Sequence, residues 1–259
     1  MQTRRHFLTS SAALGTITLL PYAAMAEAHS TDTYATANGS VTVHPISHAS
    51  IVLETPAGVI YVDPVGEASL YEGKPAPDMI LITHEHGDHY NAETLAALAG
   101  EVTPLIVNPA VMALMPAEMQ ARATAIANGE ATVWEAVNID AIPAYNTTEG
   151  RENFHPQGRD NGYVLTVDGL RIYVSGDTEG TPEMRALENI DVAFVCMNLP
   201  FTMDAQAAAK AVSEFAPKNV YPYHYRGRDN GTQDPAEFAE MLTAAIETKY
   251  GNWYGDQSS

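Results

Sequence analysis

This chain is short of cysteine, of positive charge and of uninterrupted apolar sequence, and each shortage closes off a class of protein. Its 259 residues include one cysteine, Cys196, so no intrachain disulfide can form even in an oxidising compartment. Cys196 lies in the apolar stretch 192–197, where a small buried core residue is expected rather than a ligand or nucleophile. Lysine and arginine total 13 against 32 acidic residues, a formal charge of -19. Nucleic acids and anionic membranes call for clustered cations, so neither is expected as the main partner, and the acidity reads as a solvated surface. The mild apolar run 12–24 is interrupted by Gly15 and Pro21 and is too short for a comfortable membrane span.

That run follows the pair Arg4-Arg5 and leads into Ala24-Met25-Ala26, a small-residue cleavage pattern. Paired arginines before a weakly apolar core resemble a twin-arginine export signal, which carries a chain across the membrane already folded. An ordinary secretory signal or an uncleaved anchor is the alternative. The expectation is an export signal over residues 1–26, a flexible polar lead-in over 27–39, and one domain over 40–259. It places the mature protein in the periplasm or outside the cell, with no stable membrane span once the signal is removed.

Short β-rich runs then alternate with helical patterns. Strands are expected over 41–46, 50–54, 58–63, 79–83 and 104–108, with helices over 92–98 and 110–127. The second half repeats the rhythm. Strands are expected over 162–167, 170–174, 191–197 and 220–223, with Asp168-Gly169 as a hairpin turn, and helices over 204–215 and 235–248. The runs ending at Asp63 and Asp177 are alike, each an apolar strand closed by an aspartate, which hints at two similar halves.

Chemistry concentrates in Thr83-His84-Glu85-His86-Gly87-Asp88-His89, directly after the apolar strand over 79–83. In extended chain His84 and His86 share one side and Glu85 points away. Gly87 permits a sharp turn, and Asp88 and His89 diverge. Four ligand-type side chains within six residues suit a pair of metal ions far better than a solvated turn. The remaining ligands must come from elsewhere. His155, Asp177 and His224 each stand at a strand end or in a turn-rich loop, where distant segments can meet.

The pattern His-x-His-x-Asp-His, then a loop histidine, then Gly176-Asp177-Thr178, then a late histidine resembles the metallo-β-lactamase superfamily across nearly all of the mature chain. Within it, Ile46–Ser50, Val62-Asp63-Pro64, Ala144-Tyr145-Asn146 and Pro200–Asp204 are similar to the branch of ascorbate-6-phosphate lactonase and N-acylphosphatidylethanolamine phospholipase D. The resemblance implies an α/β fold, an αββα sandwich of two similar halves. It implies one metal held by His84, His86 and His155, and a second held by Asp88, His89 and His224, with Asp177 bridging. The donors are nitrogen and oxygen only, which suits two divalent ions such as zinc and also manganese or iron.

Two such ions lower the pKa of a shared water and supply hydroxide to attack a carbonyl or phosphodiester of a small-molecule substrate. Asp88 would also orient that nucleophile. An iron-dependent redox enzyme on the same fold, or a non-catalytic periplasmic metal-binding protein, are the alternatives. Other residues stay open. His48 either borders the site or is satisfied by backbone near the core, and Asp63 either accepts from a metal-bound imidazole or caps a turn. Tyr225 and Arg226 either reach a substrate anion or lie on the surface. His6, His29 and His44 have no evident partner and are expected in the signal or on the surface.

Overall fold

A computed structural model describes residues 31–255. The export signal expected over 1–26, with His6 and His29, lies outside the described residues. Seven strands lie side by side in chain order: β1 (Asp32–Ala35), β2 (Ser40–Ser47), β3 (Ser50–Thr55), β4 (Gly58–Val62), β5 (Met79–Leu81), β6 (Leu105–Val107) and β7 (Ala123–Ala125). A second sheet repeats the scheme with β8 (Ala131–Trp134), β9 (Val137–Ala144), β10 (Asp160–Val167), β11 (Leu170–Val174), β12 (Val192–Cys196), β13 (Asn219–Tyr223) and β14 (Glu247–Thr248). In each sheet the first four strands form an antiparallel meander and the last three join in parallel. β4 thus corresponds to β11, and the two similar aspartate-closed runs occupy equivalent places.

Period-two alternation explains the layering. Ile51, Leu53, Ile60, Val62, Met79 and Leu81 point into the core between the sheets, where they join Ile139, Tyr163, Leu165 and Ile172. Their neighbours Val52, Tyr61, Ile80 and Ile82 face outward and are covered by Leu95, Val111, Met115 and Met119. Those covering residues come from α1 (Ala92–Leu98), α2 (Pro109–Leu114), Met115 beyond its end, and α3 (Ala117–Gln120). On the second sheet the helix α5 (Ala205–Phe215), after the single turn α4 (Pro182–Arg185), buries Ala208, Ala211, Val212 and Phe215. Asp204 caps α5 by accepting from the Ala207 N–H at 2.7 Å. The αββα sandwich is the observed fold.

Three expectations need correction. The helix expected over 110–127 is split, because the residue before Pro116 is pushed to an extended conformation and α2 stops at Leu114. Residues 123–125 then pair with β6 as an edge strand instead of continuing a helix. The last helix, α6 (Pro235–Glu240), ends well before residue 248. Beyond it, Glu247 and Lys249 donate backbone N–H groups to Lys218 and Val220 at 2.9 and 2.8 Å, so this stretch adds β14 to the sheet. The lead-in expected to be flexible contains β1, anchored to the other half of the sandwich by a 2.8 Å hydrogen bond between the Tyr34 and Tyr221 hydroxyls.

Cys196 ends β12 fully buried, as its apolar context suggests. Burial, helped by nearby Asp177, pushes its thiol up to about 12. The native chain is therefore expected to resist iodoacetamide at pH 8 and to be alkylated readily once unfolded in guanidinium. Fast labelling of the native chain would show this packing to be wrong.

Candidate metal centre

The carboxyl ends of the parallel strands share one rim of the sandwich, where α/β sheets present their sites. β4 delivers Asp63, β5 delivers Thr83 to His89, β11 delivers Asp177, β12 delivers Asn198 and β13 delivers His224. β3 runs antiparallel to β4, so the turn before it brings His48 to the same rim. His155 and Asp160 arrive at the start of β10. Local backbone supports this convergence. Gly176 has φ +60° beside the Asn161 carbonyl, and a Cβ there would come within 2.8 Å of that oxygen. His48, Asp63 and His224 also hold positive φ (54°, 45° and 47°), conformations that non-glycine residues adopt at a cost and that gather at functional sites.

The seven ligand-type residues read from the sequence fall into three groups, and the group that contains Asp88 and His224 takes in His48 rather than His89. The ligand atoms of His84, His86 and His155 lie within 4.8 Å of one another, as do those of His84, His89 and Asp177. Asp177 stands between two sets: Oδ1 is 3.4 Å from His89 Nε2 and 3.5 Å from His224 Nε2, and Oδ2 is 3.5 Å from His155 Nε2. His224 Nε2 is also 3.3 Å from Asp88 Oδ2. These separations are long for charge-assisted hydrogen bonds, which run at about 2.7–2.9 Å. They match the spacing of about 3.3–3.4 Å between donors each held about 2.0–2.1 Å from a tetrahedral zinc.

The buried atoms His84 Nε2, His89 Nε2 and Asp177 Oδ1 have no hydrogen-bond partner among the described residues. Leaving such groups unpaired is costly, so their convergence calls for a cation. The donor set fits a divalent ion.

The opposite ring nitrogens are tied down. Asp63 accepts from the Thr83 N–H at 2.7 Å and the Thr83 hydroxyl at 2.6 Å, and its Oδ2 meets His89 Nδ1 at 2.8 Å. The hydrogen-bonding reading of Asp63 is the one observed. His155 Nδ1 meets Asp160 Oδ2 at 3.0 Å, and the Asn198 side-chain amide stands 2.9 Å from His224 Nδ1. Glu85 does point away from the ligands: it pairs with Arg159 Nε at 2.9 Å, and Arg159 in turn donates to Asp160 at 2.7 Å. The chain Glu85–Arg159–Asp160–His155 therefore links the motif to its distant histidine. Asp63→Asn keeps the shape but removes the charge facing His89, and should weaken metal binding by about 10–100-fold. Unchanged affinity in a calorimetric titration would contradict this role.

Burial pushes His84 well below the ordinary imidazole range, with nearby His89 adding to it. Burial opposes a charge on His89 too, but Asp177 and Asp63 outweigh it and raise His89 well above that range. Burial would likewise raise Asp177, yet His224 and His89 hold it well below the usual carboxylate range. Asp177 and Asp63 thus favour positive charge beside His89, while His84 is held neutral.

His48 belongs to the rim. Its Nε2 is 3.4 Å from Asp88 Oδ2, its ring lies 3.8 Å from that of His224, and its Nδ1 meets the Tyr254 hydroxyl at 2.9 Å. Sequence reasoning missed Tyr254, Asp160, Asn198 and Glu179. Glu179, buried beside Asp177, accepts from the backbone and hydroxyls of Thr147 and Thr148 and fastens the loop leading to His155. His44 is no free surface residue: it contacts Glu54 at 2.6 Å and Lys74 at 3.1 Å, away from the centre.

Residues 42–224 match the family described as Beta-lactamase superfamily domain, so the chain belongs to the metallo-β-lactamase superfamily. Within it, the chain is one of the UPF0173 metal-dependent hydrolases. A member from Pelotomaculum thermopropionicum is 30% identical over 217 residues, covering 79% of this chain and 92% of the relative. One from Lysinibacillus sphaericus is 31% identical over 206 residues, covering 75% and 89%. The crystal structure of a Parabacteroides distasonis protein, classed by name with metal-dependent hydrolases, is 38% identical with a TM-score of 0.77, covering 86% of this chain and 98% of that one. The chain is a metal-dependent hydrolase.

Proposed function

We propose that the centre holds two divalent ions, zinc by preference, and hydrolyses a carbonyl compound (a lactone, ester or amide) or a phosphodiester. The carrying observation is Asp177, whose two oxygens face two different imidazole groups. On this reading His84, His86 and His155 hold one ion, Asp88, His89 and His224 hold the other, and Asp177 bridges them. When bound, such ions lower the pKa of water towards neutrality and polarise the substrate oxygen.

The chain's own residues fix the geometry. Asp63, Asp160 and Asn198 set the ring orientations of His89, His155 and His224. Asp88 reaches the open side with its side chain 48% exposed, placed to orient the attacking water. The likeness of Ile46–Ser50, Val62–Pro64, Ala144–Asn146 and Pro200–Asp204 to the lactonase and phospholipase D-like branch supports an oxygen ester or lactone among these bonds. The arginine pair at the N-terminus supports export to the periplasm.

A panel of lactones, esters and phosphodiesters, run on protein stripped and then reloaded with zinc, tests the reading. Turnover restored by zinc supports it. Redox-active iron with no hydrolysis, or tight metal binding with no turnover, would replace it.

A further inference from the structure

The chain has few cations, and most are already engaged. Among the described residues, Arg151, Arg159 and Arg185 pair with carboxylates, Arg122 donates to the Gly100 and Thr103 carbonyls, and Arg171 reaches the Thr166 hydroxyl. Arg226 and Arg228 differ. Both are exposed, and neither guanidinium has a carboxylate or hydrogen-bond partner among the described residues. Both lie just after His224.

Each is laid over an aromatic ring at the rim of the centre. Arg226 Cζ is 4.1 Å from the ring centre of Tyr254, whose hydroxyl contacts His48 beside Asp88. Arg228 Cζ is 5.2 Å from the ring centre of Phe201, which meets Phe154, the neighbour of His155, edge-on. The two cations therefore flank the centre on its Asp88 and His155 sides. Their loop is pinned. Arg228 N–H donates to Leu199 O at 3.0 Å, Gly231 N–H to Arg228 O at 2.8 Å, and Gln233 N–H to Tyr225 O at 2.8 Å. Between the arginines, Gly227 packs so closely on the Leu199 carbonyl that a Cβ would collide with it.

A stacked guanidinium keeps its edge N–H donors free and aimed, the geometry that receives a carboxylate or phosphate through two parallel hydrogen bonds. In a protein of charge -19, two unpaired arginines beside the centre are out of keeping with a merely solvated surface. The overall negative charge does not forbid an anionic ligand, because charges more than about 8 Å away are largely screened at physiological salt.

We propose that Arg226 and Arg228 form an anion subsite, and that the substrate carries a carboxylate or phosphate group close to its scissile bond. This rests on the hydrolase reading above and narrows its substrate class.

The test compares 4-nitrophenyl butyrate, which is neutral, with mono-4-nitrophenyl glutarate, which ends in a carboxylate. Phenyl phosphate serves as the phosphate-bearing ligand. Wild-type, zinc-loaded protein should show a KM for the glutarate ester lower by about tenfold, the worth of one charge-assisted hydrogen bond at a partly open site. The double variant Arg226→Gln with Arg228→Gln should bring the ratio of the two KM values to about one and weaken phenyl phosphate binding in calorimetry by a similar factor. Loss of the glutarate preference with phenyl phosphate binding unchanged would assign the subsite to carboxylates, and the converse to phosphates.

Equal KM values in the wild type together with phenyl phosphate binding unaffected by the double variant would overturn the subsite. If no ester is turned over, the hydrolase reading fails by itself. Calorimetry of phenyl phosphate against both proteins then still decides the anion claim.

Discussion

Asp177→Ala is expected to abolish hydrolysis. Outer partners of metal ligands typically command about 10–100-fold, and a carboxylate in the proposed bridging position should exceed that, so a loss of about a thousandfold or more in kcat/KM is expected. The structural ground is its position between His89, His224 and His155. No other carboxylate among the described residues faces both groups of imidazoles. Asp177→Asn gives a finer result. It keeps the shape and one acceptor oxygen, so it should retain one ion and lose the other. Folding is checked by circular dichroism and metal content by elemental analysis. A variant with alanine at this position that keeps two ions and more than a tenth of the activity would remove Asp177 from the centre.

Stripping the metal should lower the melting temperature by about 8–16 °C. Ligand present at a thousand times its dissociation constant stabilises by about 4 kcal/mol. For a domain of this size each kcal/mol moves the midpoint by about 2–4 °C. The physical source is visible in the buried His84 Nε2, His89 Nε2 and Asp177 Oδ1, which have no hydrogen-bond partner among the described residues and which a bound cation would satisfy. The stripped chain should nevertheless remain folded, because the core between the sheets and the outer layer of α1–α3 do not depend on the centre. Adding zinc back should restore the midpoint. A shift under about 2 °C would mean that the cluster binds metal weakly or not at all.

Much of this was readable in the sequence, and for a reason. Apolar runs such as 58–63 and 170–174 alternate or stay apolar with strand periodicity, and the residues that close them bear carboxylates. The location of His84–His89 after β5 followed directly. Residues contributed by unrelated segments were harder. Asp160 and Asn198 look like ordinary strand-end polar residues until the fold sets them against His155 and His224. Tyr254 is far along the chain from His48 and meets it because Trp253 packs against Tyr223 and Phe194 and accepts the His48 N–H through its carbonyl at 3.0 Å.

The misjudged helices failed for a different reason. Alanine-rich composition favours helix over 110–127 and 235–248, but Pro116 in one case and an open sheet edge in the other diverted the chain into β7 and β14. Local propensity is a weak prior where a neighbouring strand offers unpaired backbone groups.

The central claim is a two-ion hydrolytic centre bridged by Asp177, and zinc titration of stripped protein with simultaneous measurement of hydrolysis tests it most directly. Two equivalents should bind per chain, and turnover should reach its maximum only as the second fills. Saturation of turnover at a single equivalent, or full hydrolysis by the stripped chain, would contradict it.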